Sequence, residues 1–159
     1  TTANANPRTV ALTMYAERID VIEREVEPAL AQGIHVVQSR NFFSTLELQG
    51  LYGGLGIDSL LPIHRFAMAG RVLPDLVVVL DPFDIKILDY RKTVERLEED
   101  KLECSIDEAG KRHNYGPVVS HAIKFEPALL NRIMAPDATA SIETIHQEVR
   151  TRVDELLKT

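Results

Sequence analysis

The sequence predicts an α/β fold of three layers, with a parallel sheet between helices. Two observations carry that prediction. Long stretches near both ends repeat apolar residues every three or four positions, the period of a helix, while short β-branched runs lie between them, bounded by Gly, Pro, Asp and Ser. One of these runs, Leu76-Val77-Val78-Val79-Leu80, is apolar without a break. A half-exposed strand would alternate, so an unbroken run fits a strand covered on both faces, as in parallel sheets.

The elements follow in order. From about Thr9 to Ala31, apolar side chains fall at Leu12, Tyr15, Ile19, Ile22, Val26 and Leu30, a 3,4,3,4,4 spacing that draws one stripe down a helix. Gly33 supplies the stop, because a residue without Cβ adopts the left-handed turn that ends many helices. Ile34-His35-Val36-Val37-Gln38 then reads as a first strand, and 76–80 as a second, introduced by Pro74-Asp75 and closed by Asp81-Pro82. Between them, the turn-rich segment 50–56 and a helix from Asp58 to Ala69 form a crossover. Ile85, Leu88, Val94 and Leu97 mark another helix, with a charged end, and 104–120 lacks periodicity and reads as loop. Arg132-Ile133-Met134 reads as a short strand. The last helix runs from about Ser141 to Leu157 on a stripe of Ile142, Ile145, Val149, Val153 and Leu156, with Ser141 as its N-cap.

Composition narrows the function. A length of 159 residues ordinarily builds one domain, and 45% hydrophobic with 26% charged residues is enough for a packed core. Against 24 Asp and Glu there are only 18 Lys and Arg, a formal net charge of -6. That balance argues against nucleic acid or an anionic membrane surface as partner, since both are bound through surplus Lys and Arg. A local basic pocket for a small phosphate ligand is compatible with it. The lone Cys104 excludes an internal disulfide and any multi-cysteine metal site, and suits a reducing, intracellular setting, cytoplasmic or organellar. No apolar run approaches the roughly 18 residues of a membrane span, and Thr1-Thr2-Ala3-Asn4 does not read as a signal peptide. The first residue is threonine, not methionine, so the chain is expected to be processed or to belong to a longer product.

Common catalytic motifs do not occur. No Gly-x-Gly-x-x-Gly follows a strand, the only Gly-Lys pair, Gly110-Lys111, continues with Arg112, and neither Gly-x-Ser-x-Gly nor His-Glu-x-x-His is present. The five histidines lack ligand spacing, so no metal site is expected. A better constellation follows the first predicted strand: Ser39-Arg40, then Ser44-Thr45 and Gln49-Gly50. In open parallel sheets, ligands bind beyond the carboxyl ends of strands, where this segment is expected. There Arg40 offers a planar fork of donors to phosphate or carboxylate, and Ser44, Thr45 and Gln49 offer hydroxyls and an amide to polar edges. The competing reading is structural, with Arg40 paired to a surface acid and Ser44-Thr45 capping a helix.

The order and spacing of five short motifs resemble bacterial thymidylate kinases. They are Tyr15-Ala16-Glu17-Arg18, Glu27 to Gly33, Ser39-Arg40 through Ser44-Thr45 to Leu48-Gln49-Gly50, Pro74-Asp75-Leu76 with Leu80-Asp81, and Pro136-Asp137-Ala138-Thr139. The resemblance implies a P-loop kinase fold, transfer of the γ-phosphoryl of Mg-ATP to dTMP, and a homodimer. By resemblance, Arg18 reaches the thymine base, Arg40 binds the dTMP phosphate, and Ser44, Thr45 and Gln49 line the nucleoside pocket. Phosphoryl transfer needs positioning and charge neutralisation, and an arginine at the acceptor phosphate supplies both.

Departures from the pattern are specific. Ser39 replaces the Asp that precedes the arginine, Met14 replaces the aromatic that stacks on thymine, and Leu48 replaces the Tyr before Gln-Gly. Arg91 and Arg96 fall where the resembled family carries its arginine lid, and also read as solvated helix charges. The first strand, P-loop and helix of that family have no counterpart in the sequence, a unit of roughly 30 or more residues. Two functions are therefore expected in competition: a dTMP kinase completed by an upstream portion, or a catalytically silent subunit of a larger assembly.

Overall fold

A computed structural model describes residues 5–80 and 115–158. These fall into two compact units, one drawn from Thr1–Leu73 and Gly116–Pro127, the other from Pro74–Tyr115 and Ala128–Thr159. The expected helix over Ile85 to Leu97, the lid candidates Arg91 and Arg96, and Cys104 lie outside the described residues.

The first unit opens with α1, Pro7–Val21. Asn6 caps it, its Oδ1 accepting from the backbone N–H of Arg8 at 2.9 Å. Pro7 starts the first turn, where a missing N–H costs nothing. Helical backbone continues through a wider π-type turn, Ile22–Val26, into α2, Glu27–Ala31. The end is a Schellman closure at Gly33, φ +74, with Gly33 N–H donating to Leu30 O and Ile34 N–H to Ala29 O.

The buried face is not quite the stripe expected. Ala11, Tyr15 and Ile22 are buried, whereas Leu12 is 54% exposed and Leu30 is exposed. The face that packs is the 11, 15, 18, 22 row, which carries Arg18 inward with it. The wider turn over Ile22–Val26 rotates later residues out of that row.

The strand expected over 34–38 does not form. Among the described residues none pairs with it, and Ile34, Val36 and Val37 are exposed, Val37 at 98%. β-branched residues favour extended backbone, but a strand exists only where a neighbour supplies a ladder. Segment 41–52, to which the sequence assigned no element, is mostly helical: α3, Phe42–Thr45, passes into a second π-type turn, Leu46–Tyr52. After glycine turns at Gly54 and Gly56, both at positive φ, α4 runs Ile57–Met68, close to the expected helix.

Residues 115–120 also depart from expectation, because α5, Tyr115–Phe125, covers them. The Gly116-Pro117 pair looks like a breaker, yet proline is well placed in a first turn. Val118, Ala122 and Phe125 form its buried row, with the Phe125 ring 5.7 Å from His64 of α4. Each large apolar side chain so enclosed contributes about 1.5–3 kcal/mol.

The second unit holds the sheet. β1, Val77–Val78, pairs in parallel with β2, Ile133–Met134, in the register Val77 to Ile133 and Val78 to Met134. Val77 N–H donates to Arg132 O at 2.7 Å and Val79 N–H to Met134 O at 2.9 Å, so the ladder reaches most of the expected strand. Val77 and Val79 are buried, Val78 is half-buried and Leu80 is 48% exposed, a burial less complete than the unbroken run suggests. The last helix, α6, spans Ile142–Leu156 with Ser141 as N-cap, as expected. A parallel strand pair in a chain otherwise rich in helices makes this an α/β protein. Among the described residues, no helix is long and apolar enough to cross a membrane.

Candidate substrate-binding site

The candidate site lies in the first unit, where α1 meets the helical segment that starts at Phe42. Asn41 sets that segment's start: its backbone is extended and its Oδ1 accepts from Phe43 N–H at 2.9 Å. Arg40, just before it, has φ 65, the left-handed region that an L side chain occupies at a cost of about 1–2 kcal/mol. Such strain concentrates at functional positions, where surrounding structure holds it.

Phe42 and Phe43 anchor the segment in the core, with ring centroids 4.7 Å apart. Their burial carries the next turn inward. Thr45 is 2% exposed and Gln49 7%, so both polar side chains named from the sequence face the interior. Gly50 lets this turn approach α4: a Cβ there would lie 3.1 Å from Ile57 Cγ1 and 3.3 Å from its Cα.

One direct contact joins the predicted residues. Arg18 Nη1 donates to Thr45 Oγ1 at 3.4 Å. The Arg18 guanidinium also lies over the Tyr15 ring, its Cζ 5.6 Å from the centroid, within cation–π range. Met14, half-buried, sits one helical turn before Arg18 on α1. Ser44 is half-buried, and Ser39 and Arg40 are exposed on the loop entering α3. The structure thus brings Arg18 and Thr45 together directly.

Behind Arg18 lies a chain of polar groups, buried at Tyr15 and His64 and partly exposed at Glu126, that sequence reasoning missed. Tyr15 Oη is 3.5 Å from His64 Nδ1, and His64 Nε2 is 3.3 Å from Glu126 Oε1. Nothing local signals it, because the partners are 49 and 62 positions apart. Burial dominates the electrostatics. It pushes the Tyr15 phenol up to about 12, against the pull of Arg18. Burial lowers Arg18, with Tyr15 and Glu17 opposing. His64 is lowered by burial, with Glu126 working the other way and Arg18 and Arg65 adding to the decrease. Among the described residues, no cluster of three or more His, Cys, Asp or Glu side chains is arranged to hold a metal ion.

A half-buried arginine, a buried hydroxyl and a buried amide on neighbouring turns suit the polar edge of a planar base. Residues 1–149 match the family profile described as thymidylate kinase. The chain is also 28% identical over 154 residues to a thymidylate kinase of Bacillus licheniformis, an alignment covering 96% of this chain and 69% of that relative. The match spans nearly the whole sequence and includes both units, so the chain belongs to the thymidylate kinase family.

Proposed function

We propose that this chain provides the acceptor side of a dTMP kinase, which transfers the γ-phosphoryl of Mg-ATP to dTMP and yields dTDP and ADP. The observation that carries the reading is the Arg18–Thr45 contact, which joins two of the residues matched to the family's nucleoside pocket. In this reading Arg18, Ser44, Thr45 and Gln49 hold the base and sugar, Met14 lies against the base, and Arg40 meets the phosphate end. The guanidinium of Arg40 neutralises the acceptor phosphate as the new bond forms. Mg-ATP, when bound, supplies the phosphoryl group and the metal charge that balances it. Ser39 offers a hydroxyl and no carboxylate, so it holds no cation by charge. Arg91 and Arg96 are the lid candidates. We place the enzyme inside the cell, as a homodimer.

The test is dTMP-dependent ADP release by the protein with any residues that precede Thr1 included. Turnover with dTMP exceeding that with other nucleoside monophosphates is expected, with Arg40→Ala weakening dTMP binding. No dTMP-dependent turnover, together with no thermal stabilisation by dTMP, would overturn the proposal and leave a catalytically silent role.

A further inference from the structure

We propose that Tyr15, His64 and Glu126 form a buried positioning relay that holds Arg18 against Thr45 and makes affinity for the acceptor nucleotide depend on the charge state of His64. This rests on the reading of Arg18 and Thr45 as acceptor contacts. His64 is the centre of the relay: it is 0% exposed, and each ring nitrogen has its own partner on a different element. Phe42, with its centroid at 4.5 Å, and Phe125, at 5.7 Å, enclose the imidazole, so it cannot turn toward water.

The partners fix the proton. An ionised carboxylate only accepts, so neutral His64 carries its hydrogen on Nε2 and donates it to Glu126. Nδ1 is then left to accept the Tyr15 O–H. That bond sets the direction of the phenol, and the phenol ring in turn carries the Arg18 guanidinium on its face. Arg18 is therefore held from two sides, by the ring and by the Thr45 hydroxyl. An apolar side chain would fill the place of His64 without desolvating polar groups. A fully partnered buried network, by contrast, specifies one geometry.

Protonation undoes the arrangement. A second hydrogen, on Nδ1, removes the acceptor of the Tyr15 O–H bond, so the phenol oxygen turns its own hydrogen away and accepts instead, losing the direction that neutral His64 imposed. It would also place a cation in the field of Arg18. The groups acting on His64 are Tyr15 and Arg18 from α1, Arg65 on α4 itself, and Glu126 after α5, of which only Glu126 favours the charged ring. Acceptor affinity should fall as the medium is acidified through the His64 transition.

The experiment is calorimetric titration of dTMP into the full chain between about pH 5 and about pH 8. The dTMP phosphate itself titrates near 6, so the effect is read as the difference between wild type and variants. Tyr15→Phe keeps the ring beneath Arg18 but removes the hydroxyl. It should weaken dTMP binding by about three- to tenfold at neutral pH and flatten the acid decline to that of the phosphate alone. Glu126→Gln, at a side chain 25% exposed, retains the fold and should move the decline to lower pH by about half a unit or more. Identical pH profiles in wild type and both variants, with dTMP bound, would overturn the relay alone. A wild-type chain that binds no dTMP at any pH would overturn the proposed function and the relay with it.

Discussion

Arg18 on α1 reaches Thr45, 27 positions away, through a single 3.4 Å hydrogen bond between Nη1 and Oγ1. Burial makes this bond matter. With Thr45 2% exposed and Arg18 partly desolvated, removing the hydroxyl leaves a guanidinium donor facing apolar wall. Thr45→Val keeps the volume and should lower stability by about 1 kcal/mol, with dTMP bound several-fold more weakly. Thr45→Ser should restore both. Urea unfolding and dTMP titration on the two variants check this.

Arg40 combines a side chain proposed to bind the acceptor phosphate with an unfavourable backbone, φ 65. Replacing it separates the two properties. Arg40→Ala and Arg40→Gly both remove the guanidinium fork, and on the proposed function each should weaken dTMP binding on the order of tenfold or more. Only glycine relieves the backbone. Arg40→Gly should therefore be more stable than Arg40→Ala by about 1 kcal/mol, at equal loss of binding. Thermal unfolding of the pair, with and without dTMP, measures the difference.

Gly53 closes the turn that carries Gln49. A Cβ at this position would lie 2.8 Å from Gln49 O and 3.1 Å from Leu48 O, both backbone atoms that cannot swing aside. Gly53 N–H donates to Leu48 O at 2.8 Å, so any shift moves the Gln49 turn itself. Gly53→Ala should cost about 1–3 kcal/mol and weaken dTMP binding although it touches no ligand. Gly54→Ala is the control, since a Cβ there meets nothing within 4 Å but strains φ +73. It should lower stability without the accompanying loss of affinity.

What could be read from sequence was local. Ser141 as a cap, the helix over Ile57–Met68 and the β2 pair all depend on neighbouring residues, and all are found. Segment 34–38 has strand chemistry but needs a partner strand, which its own composition does not supply. Gly116-Pro117 has the same composition in a loop or in a first helical turn, and only the row of Val118, Ala122 and Phe125 distinguishes them. In the site, Arg18 and Thr45 stood out through motif order. His64 and Glu126 did not, because their meaning arises only when three distant elements pack around one imidazole.

The Tyr15 phenol gives the relay a signature in alkaline stability. Burial raises it from 10.0 to about 12, so the folded chain keeps a proton that the unfolded chain loses. The sign follows from linkage: the contribution is fully present below pH 10 and is lost as pH rises through 10 toward about 12. Two pH units correspond to about 2–3 kcal/mol. Tyr15→Phe cannot ionise there, so its stability should decline less steeply across that window, even though it starts lower for want of the His64 hydrogen bond. His64 acts at the other end, being held below its usual 6.5 by burial. Its contribution is complete above that value and falls as pH drops through the lowered folded one. Urea midpoints across both windows, for wild type, Tyr15→Phe and His64→Asn, should show the alkaline slope reduced in the first variant and the acid slope reduced in the second. Slopes unchanged in both variants would mean that neither group is desolvated as described.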